Sequence, residues 1–207
     1  MAAQTATLLN AVTTRVDDRG GEFAIRALSM LFITVLTAAA AQISVPLPFT
    51  QVPFTFQPMV VLVGGLVLGS RLGLASQMLY LAAGIAGLPV FAASATLPPG
   101  FFRLLGPTGG YLMAYPVAAF VVGTLAERGF ARRYVSSVGA MLVGLVIIYA
   151  AGTLWLAYFA RLASGSAAVG LATALATGVY PFLIADLVKL AAAAGVTPAL
   201  WRVIGPR

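Results

Sequence analysis

The sequence predicts an all-α integral membrane protein with six transmembrane helices. Only 8% of its 207 residues are charged, whereas a soluble domain carries about 25% charged residues. Its mean hydropathy of +1.01 and its 61% content of hydrophobic residues are typical of a chain whose main solvent is the lipid bilayer. The apolar residues also form long runs separated by proline, glycine and arginine, as expected of successive spans.

The first 25 residues are the most polar part of the chain. They include Asp17, Asp18 and Glu22, and they lack the short apolar core of a signal peptide. We interpret residues 1–25 as a mobile cytoplasmic tail with a short lead-in helix. Residues 26–207 are interpreted as a single six-helix membrane domain.

The first span is predicted at about residues 26–44, long enough to cross the ~30 Å hydrocarbon core at about 1.5 Å per residue. The stretch "VPLPFTQVPFTF" (residues 45–56) follows, and its three prolines exclude a helix interior. Because this stretch is also rich in phenylalanine, we expect an ordered, non-helical loop that packs on protein or membrane.

Five more spans are predicted, at about residues 57–69, 72–87, 108–126, 134–160 and 181–200, with a further short helix in the turn region 161–179. Segments 57–69 and 72–87 are shorter than the ~20 residues that a span usually needs. We expect them to tilt or to end where the protein holds a cavity. Pro181 suits the first turn of the last helix.

The arginines predict the orientation, because the more basic side of a membrane protein lies in the cytoplasm. With six spans, one side carries nine arginines and the other side two, Arg103 and Arg161. We therefore expect a multi-pass protein of the cell membrane with both termini in the cytoplasm. The nine arginines are Arg15, Arg19, Arg26, Arg71, Arg128, Arg132, Arg133, Arg202 and Arg207.

Residue types that the sequence lacks disfavour several functions. It has no cysteine and no histidine, so thiolate chemistry and the usual zinc and triad residues are missing. We therefore expect no enzyme, no metal and no cofactor. The scattered basic residues argue against nucleic-acid binding. The motif GxxxxGK[ST] is absent, so any ATP-driven step needs partner chains.

The last predicted helix carries an acid and a base, Asp186 and Lys189, in the stretch "YPFLIADLVKL". Their i, i+3 spacing places them on one helical face. A charged side chain at membrane depth costs about 2.5–3.5 kcal/mol on insertion scales, so such groups are expected to pair or to face a cavity. Two interpretations stay open: a structural ion pair, or a ligand contact that offers acceptors and donors on one edge.

Gln57 and Gln77 are further polar side chains at membrane depth, and each offers both donors and acceptors. Each is a candidate ligand contact or an interhelical hydrogen bond. Tyr80 lies one turn after Gln77 and is more simply explained by packing on the spacing alone.

The stretch "GPTGGYL" (residues 106–112) is predicted to be a turn that enters a helix. Gly109 and Gly110 allow backbone or ligand to approach closely, and the helix start offers unpaired N–H groups. A tight turn without a ligand explains the same pattern. Arg103, in the preceding loop, can meet a carboxylate or lie in solvent.

Small residues repeat at four-residue spacing on the first helix. Such small-xxx-small stripes let a second helix approach closely, so we predict partner binding there. The pairs are Thr34 with Ala38, Thr37 with Ala41, and Ala40 with Ser44.

Four stretches together resemble the BioY family, the biotin-specific substrate-binding (S) components of energy-coupling-factor (ECF) transporters. The resemblance extends from about residue 42 to residue 194, in the same order. Two departures are Ala185, where the family often has glycine, and the loop "AASATLPPGFFR" (residues 92–103), which is usually glycine-rich. The four stretches are "VPFTFQP", "GLVLGSRLGLASQMLYLAAGIAGLPVF", "LLGPTGGYLMAYPVAAFVVGTLAER" and "YPFLIADLVKLAAAA".

The resemblance implies the six-helix S-component fold and high-affinity capture of biotin from outside the cell. It implies that the acid and base of the last helix, Asp186 and Lys189, hold the biotin head group, with neighbours among the polar residues above. It also implies a transmembrane coupling (T) subunit and two ATP-binding subunits as partners, besides membrane lipid. The alternatives are a transporter that works without these partners and a membrane scaffold. The expected neighbours are Gln57, Gln77, Tyr80, Gly109, Gly110, Tyr111 and Arg103.

Overall fold

The computed structural model describes residues 7–16, 18–94, 97–160 and 169–204. Nearly all of its secondary structure is helical, with one short antiparallel hairpin of β1 (Ser44–Val45) and β2 (Phe54–Thr55). The α-helices are α1 (Leu8–Thr13), α2 (Arg19–Gln42), α3 (Gln57–Leu68), α4 (Ser70–Ile85), α5 (Gly109–Glu127), α6 (Tyr134–Tyr158), α7 (Leu171–Gly178), α8 (Tyr180–Ala193) and α9 (Val196–Ile204).

The first long helix begins before the predicted start of the membrane domain. Helix α2 starts at Arg19 because the Asp18 carboxylate accepts a hydrogen bond from the Gly21 N–H, at 2.9 Å. Helix α1 lies within the predicted tail, but it contacts α2, α3 and α9 and buries Leu8 and Leu9. The polar residues at 18–25 therefore belong to a helix that continues into the first span, while residues 1–6 and 17 lie outside the described part.

Helix α5 lies at the centre of the bundle and contacts α3, α4 and α6. Close approach requires glycine at two of these contacts. A Cβ atom on Gly65 would lie 2.7 Å from the Ala119 carbonyl oxygen, and one on Gly123 would lie 2.3 Å from the Gly69 carbonyl carbon. These backbones can meet only because neither glycine has a side chain, and α5 is the most buried of the long apolar helices among the described residues.

Helices α3 and α4 are short, as predicted, and a sharp turn joins them. Gly69 has φ +84°, a conformation that favours glycine. The carboxylate of Glu127, at the end of α5, accepts hydrogen bonds from the backbone N–H and the hydroxyl of Ser70, each at 2.8 Å. Helix α4 thus receives its cap from another helix, and this contact joins the α3–α4 turn to the end of α5.

The last predicted span consists of two helices, α8 and α9, with a break at Ala194 and Gly195. Pro198 explains the break, because it has no N–H to donate to the Ala194 carbonyl and its ring would crowd that group. Helix α9 contacts α1, and the Arg15 guanidinium donates to the Ile204 carbonyl. The first and last described residues therefore lie at the same end of the bundle.

The hairpin, the loop at 86–108 and α7 lie at the opposite end. The loop contains a 3-10 turn at Phe101–Leu105. Helix α7 is the short helix expected within 161–179; residues 161–168 of that region and residues 95–96 of the loop lie outside the described part. Within the described residues, four helical stretches are long and apolar enough to cross a membrane, namely α2, α5, α6 and the α8–α9 pair. With the shorter α3 and α4 they make six, in agreement with the predicted fold class.

Candidate ligand-binding site

A cavity of about 320 Å³ lies at the hairpin end of the bundle. It is enclosed by the hairpin, the start of α3, the loop at 86–108 and parts of α5 to α8, and its lining is mainly apolar. The side chains that matter below are Phe54, Gln57, Phe91, Arg103, Tyr111, Tyr115, Ile148, Tyr149, Phe182 and Asp186.

Asp186 is the one acidic side chain among the described residues that line this cavity. Pro181 starts α8 and Asp186 follows on its second turn, with an exposed fraction of only 7%. One carboxylate oxygen, Oδ2, accepts a hydrogen bond from the Tyr149 hydroxyl on α6 at 2.6 Å. The other, Oδ1, forms an ion pair with Lys189. The predicted pairing on one helical face is therefore present, and Tyr149 extends it to a second helix.

Lys189 lies beside Asp186 and connects α8 to the hairpin. Its Nζ donates a hydrogen bond to the Thr55 carbonyl on β2 at 2.7 Å. The same Nζ lies 3.9 Å from the ring centroid of Phe54 and 5.3 Å from that of Phe56, which is cation–π geometry. These contacts compensate for the desolvation of the ammonium group and fix the position of the hairpin over the site.

Gln57 forms a second polar point on the wall. Its Nε2 donates to the Tyr80 hydroxyl at 2.6 Å, and that hydroxyl donates to the Val90 carbonyl at 3.2 Å. Tyr80 is fully buried behind the wall, edge-on to Phe91, which lines the cavity. The structure therefore places Gln57 at the cavity and Tyr80 one layer behind it.

Gln77 lies away from the cavity, in the contact between α2 and α4. It is fully buried, and its Nε2 donates to the Thr37 hydroxyl at 3.3 Å and to the Ser76 hydroxyl at 3.2 Å. Its Oε1 has no partner within the described residues. This position fits the alternative of an interhelical hydrogen bond. Gln77 is nevertheless only one turn before Tyr80 on α4.

The predicted partner-binding stripe of α2 faces the interior of this chain. Thr37 and Ala41 are fully buried, Thr34 is 7% exposed and Ala38 is half-buried. The Thr34 hydroxyl donates to the Ser76 carbonyl on α4 at 2.9 Å. A partner helix cannot reach Thr37 or Ala41 unless α4 is displaced, so the small residues serve close packing of α2 on its own neighbours. This differs from the expected exposed stripe.

The glycine turn before α5 is explained by packing. A Cβ atom on Gly109 would lie 1.8 Å from the Leu104 carbonyl oxygen, and one on Gly110 would lie 2.2 Å from the Trp155 Cβ. Neither glycine lines the cavity, whereas Tyr111, the next residue, does. The Tyr111 hydroxyl donates to the Gly178 carbonyl at 2.9 Å. The turn thus positions Tyr111 and ties α5 to the end of α7.

Arg103 lines the cavity from the 3-10 turn. Its Nε donates to the Pro98 carbonyl at 3.1 Å and its Nη1 to the Ala92 carbonyl at 2.7 Å. Partial burial lowers the pKa of this guanidinium from its usual value, but arginine stays charged in proteins. Within the described residues it forms no ion pair with a carboxylate. The loop therefore holds a cation at the cavity wall, bound to neutral carbonyls.

Comparison with known proteins identifies the family. The sequence model of the BioY family matches residues 12–206. The chain belongs to the BioY family. A probable biotin transporter BioY from Pyrococcus horikoshii is 42% identical over 166 residues, covering 80% of this chain and 89% of the relative. The biotin transporter BioY from Thermotoga maritima is 39% identical over 163 residues, covering 78% and 86%.

A solved structure shows the same fold. It is the crystal structure of the S component for biotin from an ECF-type ABC transporter, and it superposes with a TM-score of 0.75 over 90% of this chain and 95% of that chain. Sequence identity is 22%. The predicted S-component architecture of this BioY chain is confirmed at the level of the fold.

Sequence reasoning missed several residues of the BioY cavity. Tyr149 is the most important, because it donates to Asp186. It lies within the long apolar run of α6, where a tyrosine is easily taken for packing; its hydroxyl at membrane depth is the single signal that could have drawn attention to it. Other cavity residues that were missed include the apolar or aromatic side chains Phe91, Tyr115, Ile148 and Phe182.

The arrangement can bind a small, partly apolar molecule in a fixed orientation. Its volume lies at the lower end of the ~300–1,000 Å³ typical of small-molecule sites, which are mostly apolar with a few placed polar groups. Asp186 on α8 offers a hydrogen-bond acceptor, with the donors Lys189 and Tyr149 beside it. Arg103 offers a separate positive charge. No group of three or more metal-ligating side chains occurs in the part of the chain that the structure describes.

Proposed function

We propose that this chain captures biotin in the cavity and takes part in its uptake as the S component of an ECF-type transporter. The observation that carries the proposal is Asp186 on the wall of a mainly apolar cavity, ion-paired with Lys189 beside it. The names of the BioY relatives and the fold of the solved biotin S component support it. The polar groups that line the cavity also match the chemistry of the ligand.

Biotin has a ureido ring, an apolar thioether ring and a carboxylate tail. In the proposed mode, a ureido N–H donates to Asp186 and the ureido carbonyl accepts from a donor beside it. The thioether ring packs on the aromatic and aliphatic lining, including Phe54 of the hairpin. Arg103 is the proposed partner of the carboxylate, because its guanidinium is charged and faces the cavity.

We propose that transport is driven by a T subunit and two ATP-binding subunits, since the chain has no phosphate-binding motif of its own. The end of the bundle that joins α1, α9 and the α5–α6 connection is the proposed docking side. Because the small-residue stripe of α2 is buried, a coupling subunit would have to use other residues, such as those of the exposed face of α2.

We further propose that this docking end lies in the cytoplasm and the cavity opens to the outside. Eight of the nine arginines assigned to the inside lie in the described part, just after α1, on α2, α4 and α9, and in the α5–α6 connection. Arg103 belongs to the cavity end. Arg161 and Arg207 lie outside the described residues.

The test is calorimetric titration of the purified, detergent-solubilised chain with biotin, dethiobiotin and thiamine. We expect saturable binding of biotin and none of thiamine. Asp186→Asn removes the charged acceptor and should lower biotin affinity on the order of 100-fold, since a hydrogen bond to a charged group contributes about 1.5–3 kcal/mol, while the protein stays monodisperse. A folded wild-type chain that binds no biotin would contradict the proposal and favour a scaffold role.

A further inference from the structure

Each oxygen of the Asp186 carboxylate has a donor supplied by the protein itself. Its Oδ2 accepts from the Tyr149 hydroxyl at 2.6 Å, and its Oδ1 is ion-paired with Lys189. An incoming N–H group must therefore share these oxygens with a donor or replace one. The identity of the donor that gives way decides which ligand the wall can recognise.

Lys189 is the more strongly held of the two donors. Its ammonium also donates to the Thr55 carbonyl at 2.7 Å and lies over the Phe54 ring. Moving it would break contacts with both α8 and the hairpin. It would also leave a buried cation without its counter-charge, which is costly in a membrane protein.

The Tyr149 hydroxyl is easier to redirect. The structure shows one hydrogen bond for it, the bond to Asp186, and a hydroxyl hydrogen can rotate about the C–O bond to suit a new acceptor. Tyr149 itself lines the cavity, as Asp186 does. A ligand that contacts Asp186 is thus within reach of the same hydroxyl.

We propose that Tyr149 is a specificity-determining residue that exchanges partners when the ligand binds. In the structure its O–H donates to Asp186. When the ligand binds, a ligand N–H takes that place and the Tyr149 O–H turns to the adjacent ligand carbonyl oxygen. The inference rests on the proposed capture of biotin, whose cyclic ureido group presents an N–H next to a C=O.

The exchange keeps every polar group paired in both states, which matters because an unpaired buried donor or acceptor is destabilising. It also predicts selectivity. A ligand with the same N–H but a weaker acceptor in place of the carbonyl oxygen would leave the Tyr149 hydroxyl poorly paired. Such a ligand should bind more weakly, by the roughly three- to tenfold that one neutral hydrogen bond contributes.

The experiment compares biotin with 2-thiobiotin, in which sulfur replaces the ureido oxygen. Dissociation constants are measured for the full-length wild-type chain and for Tyr149→Phe, which removes the hydroxyl and keeps the ring. We expect wild type to prefer biotin, and the preference to fall about three- to tenfold in Tyr149→Phe, mainly through weaker biotin binding.

Tyr134→Phe is the matched control. Tyr134, the first residue of α6, also has a hydroxyl that donates to α8, at the Ala191 carbonyl at 3.0 Å, but it does not line the cavity. This variant loses the same kind of interhelical hydrogen bond outside the cavity. The ratio of biotin affinity to 2-thiobiotin affinity in Tyr134→Phe should equal the ratio in wild type.

A Tyr149→Phe variant that loses affinity equally for both ligands would show a merely structural role and overturn the inference, as would an unchanged affinity for both. If Tyr149→Phe is not monodisperse, Tyr149→Met makes the same deletion with a side chain that adapts to irregular space, and the same ratio decides. If the wild-type chain binds biotin, the affinity ratio tests only the proposed partner exchange of Tyr149. If it binds no biotin, both the proposed function and the partner exchange are contradicted.

Discussion

At the scale of single residues, the most informative feature is that two charges are held at membrane depth. Asp186 is in contact with Tyr149 and Lys189, and Lys189 also contacts Thr55 and Phe54. Replacing a buried ion pair by apolar residues is often neutral or stabilising, whereas removal of one partner is strongly destabilising. The proposed ligand-binding role and a structural role of the pair therefore predict different behaviour when one or both residues are replaced.

Asp186→Leu alone should lower the free energy of unfolding by about 3–5 kcal/mol, because Lys189 is left without its counter-charge. The double variant Asp186→Leu/Lys189→Met should regain most of that stability and still fail to bind biotin. Thermal unfolding in detergent and calorimetry with biotin measure the two effects. If the double variant is as unstable as the single one, the pair is primarily structural.

At the scale of elements, α5 determines how closely the bundle can pack. Gly110 at its start lies against Trp155 of α6, whose Nε1 donates to the Gly106 carbonyl at 2.9 Å. This contact fixes the turn before α5 and therefore the position of Tyr111 in the cavity. Side-chain volume at position 110 should thus affect both the α5–α6 contact and the site.

Gly110→Ala should lower the free energy of unfolding by about 1–3 kcal/mol, the usual effect of overpacking. Its Cβ would lie 2.2 Å from the Trp155 Cβ and 2.7 Å from the Ala151 carbonyl oxygen. The melting temperature in detergent should fall by about 2–4 °C per kcal/mol.

Gly139→Ala on α6 is the control for that substitution, since a Cβ there meets nothing within 4 Å. Alanine should be neutral or stabilise the helix by up to about 1 kcal/mol. Equal melting temperatures for the two variants would mean that the close contact at Gly110 is not rigid.

At the scale of the whole molecule, charge and cavity lie at opposite ends. The basic end is held together by contacts between distant segments, including the Ser137 and Thr197 hydroxyls at 3.3 Å and the Glu127 cap on α4. The other end has the hairpin, α7 and the cavity. This separation is what an importer needs if it collects its ligand on one side and meets its partners on the other.

Single-cysteine labelling should establish the orientation directly, because the chain has no native cysteine. Phe102→Cys, in the exposed 3-10 turn, should react with a membrane-impermeant maleimide in intact cells. Thr14→Cys, exposed after α1, should react only after the membrane is permeabilised. The reverse labelling pattern would contradict the positive-inside assignment.

The sequence by itself determined the fold class, the approximate spans and the acid–base pair on α8. Hydropathy, proline and glycine are local signals, and a charge in an apolar run is conspicuous wherever the helix packs. Even the break at Gly195, which was not predicted, has a local cause in Pro198 that could have been used.

Only the tertiary structure decided which helical faces meet. In a soluble helix the polar face marks the solvent side, but in a membrane both the lipid-facing and the buried faces are apolar. Phe32 and Val35 of α2 are exposed while Ile33 is buried, and nothing in their hydrophobicity distinguishes these directions. For the same reason the sequence could not separate Gln57, at the cavity, from Gln77, between helices, nor pair Tyr149 with Asp186 across 37 residues.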